Sequence, residues 1–245
     1  MLAVEQVQKS FEGFMAVAGA SFTVEKGRVV AVIGPNGAGK TTLFNLITGH
    51  LKPDAGKIRF KGREIAGLAP HKICRQGVAR SFQLINVFGR LTVYENVQVA
   101  VLSRLRKTWN MFTPAAGLVR DQTLAALERV GLAAYAGLPC SSLSYGDQKA
   151  LEIAIALSSG PELLLLDEPT AGMSPEETRA TVRLIENLAG QEGLTILFTE
   201  HDIDVVFHIA QKIVVMYQGK TIAQGVPEEV RRNPEVQKAY LGEAV

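Results

Sequence analysis

Cysteine is nearly absent from this chain: Cys74 and Cys140 are the two among 245 residues, far apart and outside any CxxC or Cys/His pattern. That excludes a disulfide framework or zinc ribbon and leaves both thiols reduced and structural. An excess of one charge is also missing. The 26 basic and 24 acidic side chains leave a net charge of +2, without the electrostatic footprint of a nucleic-acid binder. Continuous apolar runs, such as "LLLL" at 163–166, are strand-sized, so any membrane role is expected to be peripheral, through a partner. The start "MLAVEQVQKSF" has no basic segment followed by an apolar run, so no signal peptide is expected. No internal repeat or low-complexity tract occurs.

What is present is a 47% apolar composition, enough for one large domain with a subdomain. "LAVEQVQKSF" alternates and predicts a strand. "ASFTVEKGRVVAVIG" predicts two strands around Lys26-Gly27, the second a buried run ending at Gly34. A helix is expected from near Gly39 to Gly49, then a turn at Pro53-Asp54 and a short strand. From Thr92 to about Ser159 three stretches carry helical spacing. "LLLLDEP" and "LTILFTEH" return to buried strands. Between them lies a helix capped by Ser174 with Pro175 in its first turn. A helix from Asp202, a hairpin over "KIVVMYQGKTIAQG" and two short helices close the chain. Buried strands alternating with helices predict an α/β fold with a parallel sheet covered on both faces. The core is expected over 1–83 and 160–245, with an antiparallel β element near the N-terminus and an inserted helical subdomain over 84–159.

The densest chemistry lies in "GPNGAGKTT", between a buried strand and a helix. Gly34, Pro35, Asn36, Gly37, Ala38 and Gly39 form a P-loop whose backbone N–H groups can turn inward around phosphates. Lys40 supplies a point charge to the β and γ phosphates. Thr41, followed by Thr42, offers a hydroxyl to Mg²⁺. At the carboxyl end of "LLLLDEP", Asp167 fits the Mg²⁺ sphere, directly or through water. Glu168 fits a base that orients and activates the attacking water. His201 ends a third buried strand, from which a side chain can reach the γ-phosphate. Gln83 in "ARSFQ" follows a short strand at the entry to the helical segment. A second anion-friendly feature lies far downstream. "LSYGDQKALEIAIAL" reads as a helix with Ser144, Gly146 and Asp147 at its mouth, where free N–H groups suit an anion.

These pieces together resemble the ATP-binding subunit of an ABC transporter. "GPNGAGKTT" matches the Walker A motif, Gln83 the Q-loop, "LSYGD" the signature motif and "LLLLDE" Walker B. "AGMSP" at 171–175 resembles the D-loop and His201 the switch histidine. The resemblance implies a P-loop NTPase core of the ABC ATPase type that binds ATP and Mg²⁺. Gln83 would act on the metal and γ-phosphate, and Phe11 would stack on adenine. Two subunits would face each other head to tail, so that Ser144 and Gly146 close over the γ-phosphate held by the partner's P-loop. The usual signature reads Leu-Ser-Gly-Gly-Gln; here Tyr145 and Asp147 depart from it, and Asp147 is expected to point away from the phosphate. Ile155 stands where many relatives carry a basic residue.

"YGDQ", "AGMSPEET" and the tail "NPEVQKAYLGEA" narrow the resemblance to ATPases of branched-chain or hydrophobic amino-acid importers. ATPases of urea importers and of lipopolysaccharide export share parts of the pattern. The implied partners are a second ATPase subunit, integral membrane permeases and, indirectly, a solute-binding protein. The implied location is the cytoplasmic face of the membrane. A soluble ABC ATPase would usually carry two cassettes or a coiled-coil insertion, and a metabolic P-loop kinase would leave "LSYGDQ" without a purpose. Residues 103–117, with Trp109, Met111 and Phe112, read as a solvated loop and helix edge with some packed aromatics, ahead of the alternative of a partner or membrane-surface contact.

Overall fold

The structure is a computed structural model that describes residues 1–81, 87–105 and 118–241. Strands β1 (Leu2–Phe11) and β2 (Phe14–Val24) form a hairpin, turning at Glu12 and Gly13, both in the left-handed region. Next come β3 (Val29–Ile33), α1 (Lys40–Ile47), β4 (Ala55–Phe60), β5 (Arg63–Glu64), α2 (Pro70–Arg75) and β6 (Val78–Ser81). Among the described residues that follow are the α-helices α3 (Val93–Arg104), α4 (Arg120–Arg129) and α5 (Tyr145–Ser158). The chain then runs through β7 (Leu163–Asp167), α6 (Pro175–Gly190), β8 (Thr195–Thr199) and α7 (Ile203–Ile209). It closes with the hairpin β9 (Lys212–Tyr217) and β10 (Lys220–Gly225), then α8 (Pro227–Arg232) and α9 (Pro234–Leu241).

Two sheets result. One is four-stranded and antiparallel in the order β2-β1-β4-β5. The other has the order β10-β9-β3-β8-β7-β6, parallel throughout except for the β9–β10 hairpin. Every residue of β3, β7 and β8 is buried because both faces of this sheet are covered. Alternate side chains serve the two faces. Val30, Val32, Leu163 and Leu165 pack with Leu43 and Phe44 of α1 and with the inner face of the antiparallel sheet. Ala31, Ile33, Leu164 and Leu166 pack with the helices on the far side.

The helix boundaries follow from local chemistry. Thr92 and Glu95 form a capping box at the start of α3, with the Thr92 N–H donating to Glu95 at 2.7 Å. Ser174 and Glu177 do the same for α6. After α1, Gly49 adopts φ 78°, and a Cβ there would lie 2.2 Å from the Leu68 carbonyl oxygen. The sequence pattern points to all of these elements except β5 and α2, which are too short to show a period.

Strands β6 and β7 are parallel neighbours, and α3, α4 and α5 lie on the crossover between them. The three helices share one continuous apolar cluster with the core: Val97, Leu127 and Leu151 belong with Leu164, Leu166 and Phe198. Within this layer Asn96 donates to the Cys140 sulfur at 3.0 Å, and burial pushes the Cys140 thiol up from its ordinary value. A protonated, buried thiol fits a packing role. Cys74 is free and partly exposed.

The shared cluster makes a thermodynamic prediction. Leu127→Ala, at a fully buried position of α4, should cost about 2–5 kcal/mol and still give a single unfolding transition. Chemical denaturation followed by fluorescence and circular dichroism checks this. Two separated transitions would mean that the helical layer folds independently of the sheet.

Candidate active site

The carboxyl edge of the parallel sheet collects the polar residues. The loop from Gly34 to Gly39 leaves the end of β3 and turns into α1. Its glycines answer to different constraints. A Cβ at Gly34 would lie 2.1 Å from the Met216 carbonyl oxygen, and one at Gly39 would lie 2.4 Å from that of Ala16. Gly37 has open space around it but sits at φ 78°, a conformation that costs a side chain and suits glycine. The loop is thus pinned at both ends by close backbone packing, while its tip can present N–H groups. The Lys40 side chain is buried and folds into the loop, donating to the carbonyls of Gly34 at 2.5 Å and Pro35 at 3.0 Å. Burial lowers its pKa, opposed by the carboxylates of Glu168 and Asp167.

Asp167 is buried at the end of β7. It accepts from Arg80 of β6 at 2.6 Å and from the Thr199 hydroxyl of β8 at 2.7 Å. Glu168, one residue on, is placed differently. Its backbone sits at φ 48°, a left-handed conformation uncommon for a non-glycine residue. Its N–H donates to both the carbonyl and the hydroxyl oxygen of Thr199, each at 3.1 Å. That geometry turns the carboxylate toward His201, whose Nε2 lies 2.7 Å from Glu168 Oε1. Buried Glu200 accepts from the Thr170 N–H at 2.8 Å and its hydroxyl at 2.7 Å, so the segments after β7 and β8 are locked together.

Asn36, Gly37, Ala38, Gly39, Lys40, Thr41, Thr42, Glu168 and His201 line one cleft of about 240 Å³. Ala16 and Phe14 of β2 complete it. Phe11 is not part of this lining. It is Phe14's cross-strand partner at the hairpin tip, about two-fifths exposed, with the Lys9 ammonium 5.5 Å from its ring centre. Gln83 lies outside the described residues, as does most of the 103–117 stretch.

Ser144 and Gly146 do not line the cleft either. Ser144 caps α5, its oxygen accepting from the Asp147 N–H at 3.1 Å. Asp147 does not point away, contrary to the expectation from sequence. Its carboxylate folds back and accepts from the Ser144 hydroxyl at 3.0 Å, because the helix mouth offers it donors. The Gly146 N–H is directed at the Glu177 carboxylate at 2.9 Å.

Pinned glycines, a buried ammonium, a hydroxyl at Thr41 and a carboxylate pair at one sheet edge suit a nucleoside triphosphate carrying its own divalent cation. Among the described residues no cluster of three or more His, Cys, Asp or Glu could cage a metal by itself. Residues 17–171 match the family described as "ABC transporter".

The chain belongs to the ABC transporter family. It is an ATP-binding subunit and an ATPase of that family. Residues 220–245 match a second family described as "Branched-chain amino acid ATP-binding cassette transporter". The high-affinity branched-chain amino acid transport ATP-binding protein LivG of Salmonella typhimurium is 43% identical over 252 residues, covering 100% of this chain and 98% of LivG. BraF of Pseudomonas aeruginosa, similarly described, is 44% identical over 251 residues, with 100% and 98% covered. A crystal structure of a nucleotide-free ATP-binding cassette from an ABC transporter superposes with a TM-score of 0.87 at 31% identity, covering 98% of each chain.

Several residues of this ATPase site leave no mark in the sequence pattern: Arg80, Thr199, Glu200 and Phe14. "ARSFQ" and "FTEH" place three of them beside expected site residues, but a lone Arg or Thr next to a motif carries no signal. Thr199 yields a test, since it holds the Asp167 carboxylate and the Glu168 backbone N–H at once. Thr199→Val should lower kcat for ATP by roughly ten- to a hundredfold with KM little changed, as expected for losing a buried hydrogen bond to a charged group. Steady-state hydrolysis against ATP concentration checks this; an unchanged kcat would remove Thr199 from the positioning of Asp167 and Glu168.

Proposed function

We propose that this ATPase energises import of branched-chain or other hydrophobic amino acids, working as one of two cassettes on the cytoplasmic face of membrane permeases. Support for the substrate class is the C-terminal match over 220–245, together with relatives described as branched-chain amino-acid transport proteins. Among the described residues no helix is long and apolar enough to cross a membrane. In this reading the transmembrane path belongs to partner permeases, fed by a solute-binding protein. The helical layer over 84–159 would move against the core at 1–83 and 160–245, with Gln83 at the junction passing nucleotide state to the permease.

One observation carries the dimeric reading: the donors at the mouth of α5 lie off the cleft that holds the P-loop, Glu168 and His201. A second copy facing the first would bring Ser144 and Gly146 over the other's γ-phosphate. Within each cleft, Lys40 balances the β and γ phosphate charge and Glu168 takes a proton from the attacking water. His201, 2.7 Å from Glu168, holds that carboxylate in place and faces the γ-phosphate. Thr41 and Gln83, with Asp167 acting through water, would hold Mg²⁺, which would supply charge neutralisation at the phosphate oxygens. The base would stack at the β1–β2 hairpin tip, where Phe11 and Phe14 are paired.

Two experiments test this. Phe11→Ala should weaken ATP binding by roughly 1–3 kcal/mol and Phe11→Tyr should be nearly silent. Phe14→Ala, measured beside them by calorimetry, separates a base held by Phe11 from one held by Phe14 alone. The composite site is tested with mixed dimers. Lys40→Ala in one chain and Ser144→Arg in the other put both lesions in one site and leave the second whole, so nucleotide should be trapped there. Both changes in one chain paired with wild type damage both sites and should trap none. Identical trapping in the two pairings would rule out action across the interface.

A further inference from the structure

Glu177 belongs to α6 yet reaches the mouth of α5. Its two carboxylate oxygens have separate partners. Oε2 accepts from the Ser174 N–H at 2.9 Å and the Ser174 hydroxyl at 2.8 Å, which caps its own helix. Oε1 accepts from the Gly146 N–H at 2.9 Å, on another helix. These bonds hold the carboxyl below its usual range: the Ser174 N–H has the largest effect, then the Gly146 N–H and the Ser174 hydroxyl, with a lesser share from the Ser144 hydroxyl. Glycine at 146 answers to this contact. Its backbone is ordinary helix, but a Cβ would lie 2.8 Å from Glu177 Cγ. The Tyr145 ring lies beside Gly172, where a Cβ would be 3.7 Å from the ring. The first turn of α6 therefore touches the mouth at Gly146, with Gly172 close to Tyr145.

The two donors that would meet a phosphate are thus both held by carboxylates of the same chain: the Ser144 hydroxyl by Asp147 and the Gly146 N–H by Glu177. Asp147 is on α5 itself and stabilises that helix's own N-terminus. Glu177 comes from outside, on a segment that continues directly from Glu168. A phosphate oxygen and a carboxylate oxygen cannot share one N–H without like-charge repulsion. We infer that Glu177 is a positioning residue that occupies the signature helix mouth as an internal anion and is displaced when a facing subunit presents its γ-phosphate. This rests on the composite-site reading above. Because Oε2 alone carries the α6 cap, Oε1 can release Gly146 while the cap persists. The release then reports closure to the segment that begins at Glu168.

The test measures ATP-dependent dimerisation by light scattering in the hydrolysis-deficient Glu168→Gln background. Adding Glu177→Gln keeps the cap, since Gln serves a capping box, but removes the charge. The ATP concentration for half-maximal dimer should fall roughly three- to tenfold, the scale expected for losing a charge-assisted contact at a partly exposed site. Glu177→Ala should shift it the same way, so the result does not hang on one variant folding. Ser174→Ala loosens the α6 cap but leaves the Gly146 contact; it should lower the melting temperature and leave the ATP midpoint unchanged. An unchanged or raised midpoint in both Glu177 variants overturns the inference while the composite site stands, and so does an equal shift in Ser174→Ala. If Glu168→Gln alone stays monomeric at saturating ATP, the composite-site reading falls and the inference with it.

Discussion

One buried carboxylate ties the site to the sheet. Asp167 ends β7, receives Arg80 from β6 on one side and Thr199 from β8 on the other, and so joins three adjacent strands at their carboxyl edge. Arg80 also donates to Asn45 of α1 at 2.6 Å and lies over the Phe44 ring, which brings the P-loop helix into the same network. A buried charge is tolerated only when its partners are well placed. Strand register, the position of α1 and the aim of the carboxylate are therefore coupled. Moving any one of them strands a charge in the core.

The next residue shows how neighbours in a chain can be given different work. Asp167 is sealed in a network. Glu168 is turned out by a left-handed backbone step that Thr199 holds in place with its carbonyl and hydroxyl oxygens. Strain of this kind persists where the surroundings over-determine it. Thr199 thus serves both residues, the Asp167 carboxylate through its hydroxyl proton and the Glu168 backbone N–H through its oxygens. Glu200 and Thr170 lock the segment that leaves Glu168 toward the D-loop. That segment ends at Glu177, against the signature helix. The sheet edge that carries Glu168 and the surface proposed to meet a second subunit are therefore consecutive in sequence and linked by contact.

The P-loop, the Asp167-Glu168 pair, His201 and the capped mouth at Ser144 are all legible in the amino-acid order, as are the buried strands and most helices. Each is a local device. Phosphate recognition needs consecutive N–H groups on one loop, a helix start needs a cap within a turn, and a strand buried on both faces must be apolar at every position. Short-range rules of this kind leave their mark in contiguous residues. The same locality explains the misses. Strand β5 has two residues and α2 six, too few for a period to show.

What only the tertiary structure decided are the pairings between distant segments. Arg80 and Asp167 are 87 positions apart, Asp167 and Thr199 are 32, and Gly146 and Glu177 are 31. An arginine after a short strand, or a glutamate in the first turn of a helix, reads the same whether or not it meets such a partner. The orientation of Asp147 escapes the sequence for a related reason: electrostatics at a helix mouth pulls a nearby carboxylate inward, and only the folded chain shows which donor it takes. Motif spacing along the chain determined that this is a phosphate-handling α/β protein. Packing of the sheet on both faces decided which side chains hold the Asp167-Glu168 pair and which carboxylate meets the mouth of α5, because those choices depend on distances in space that no local pattern records.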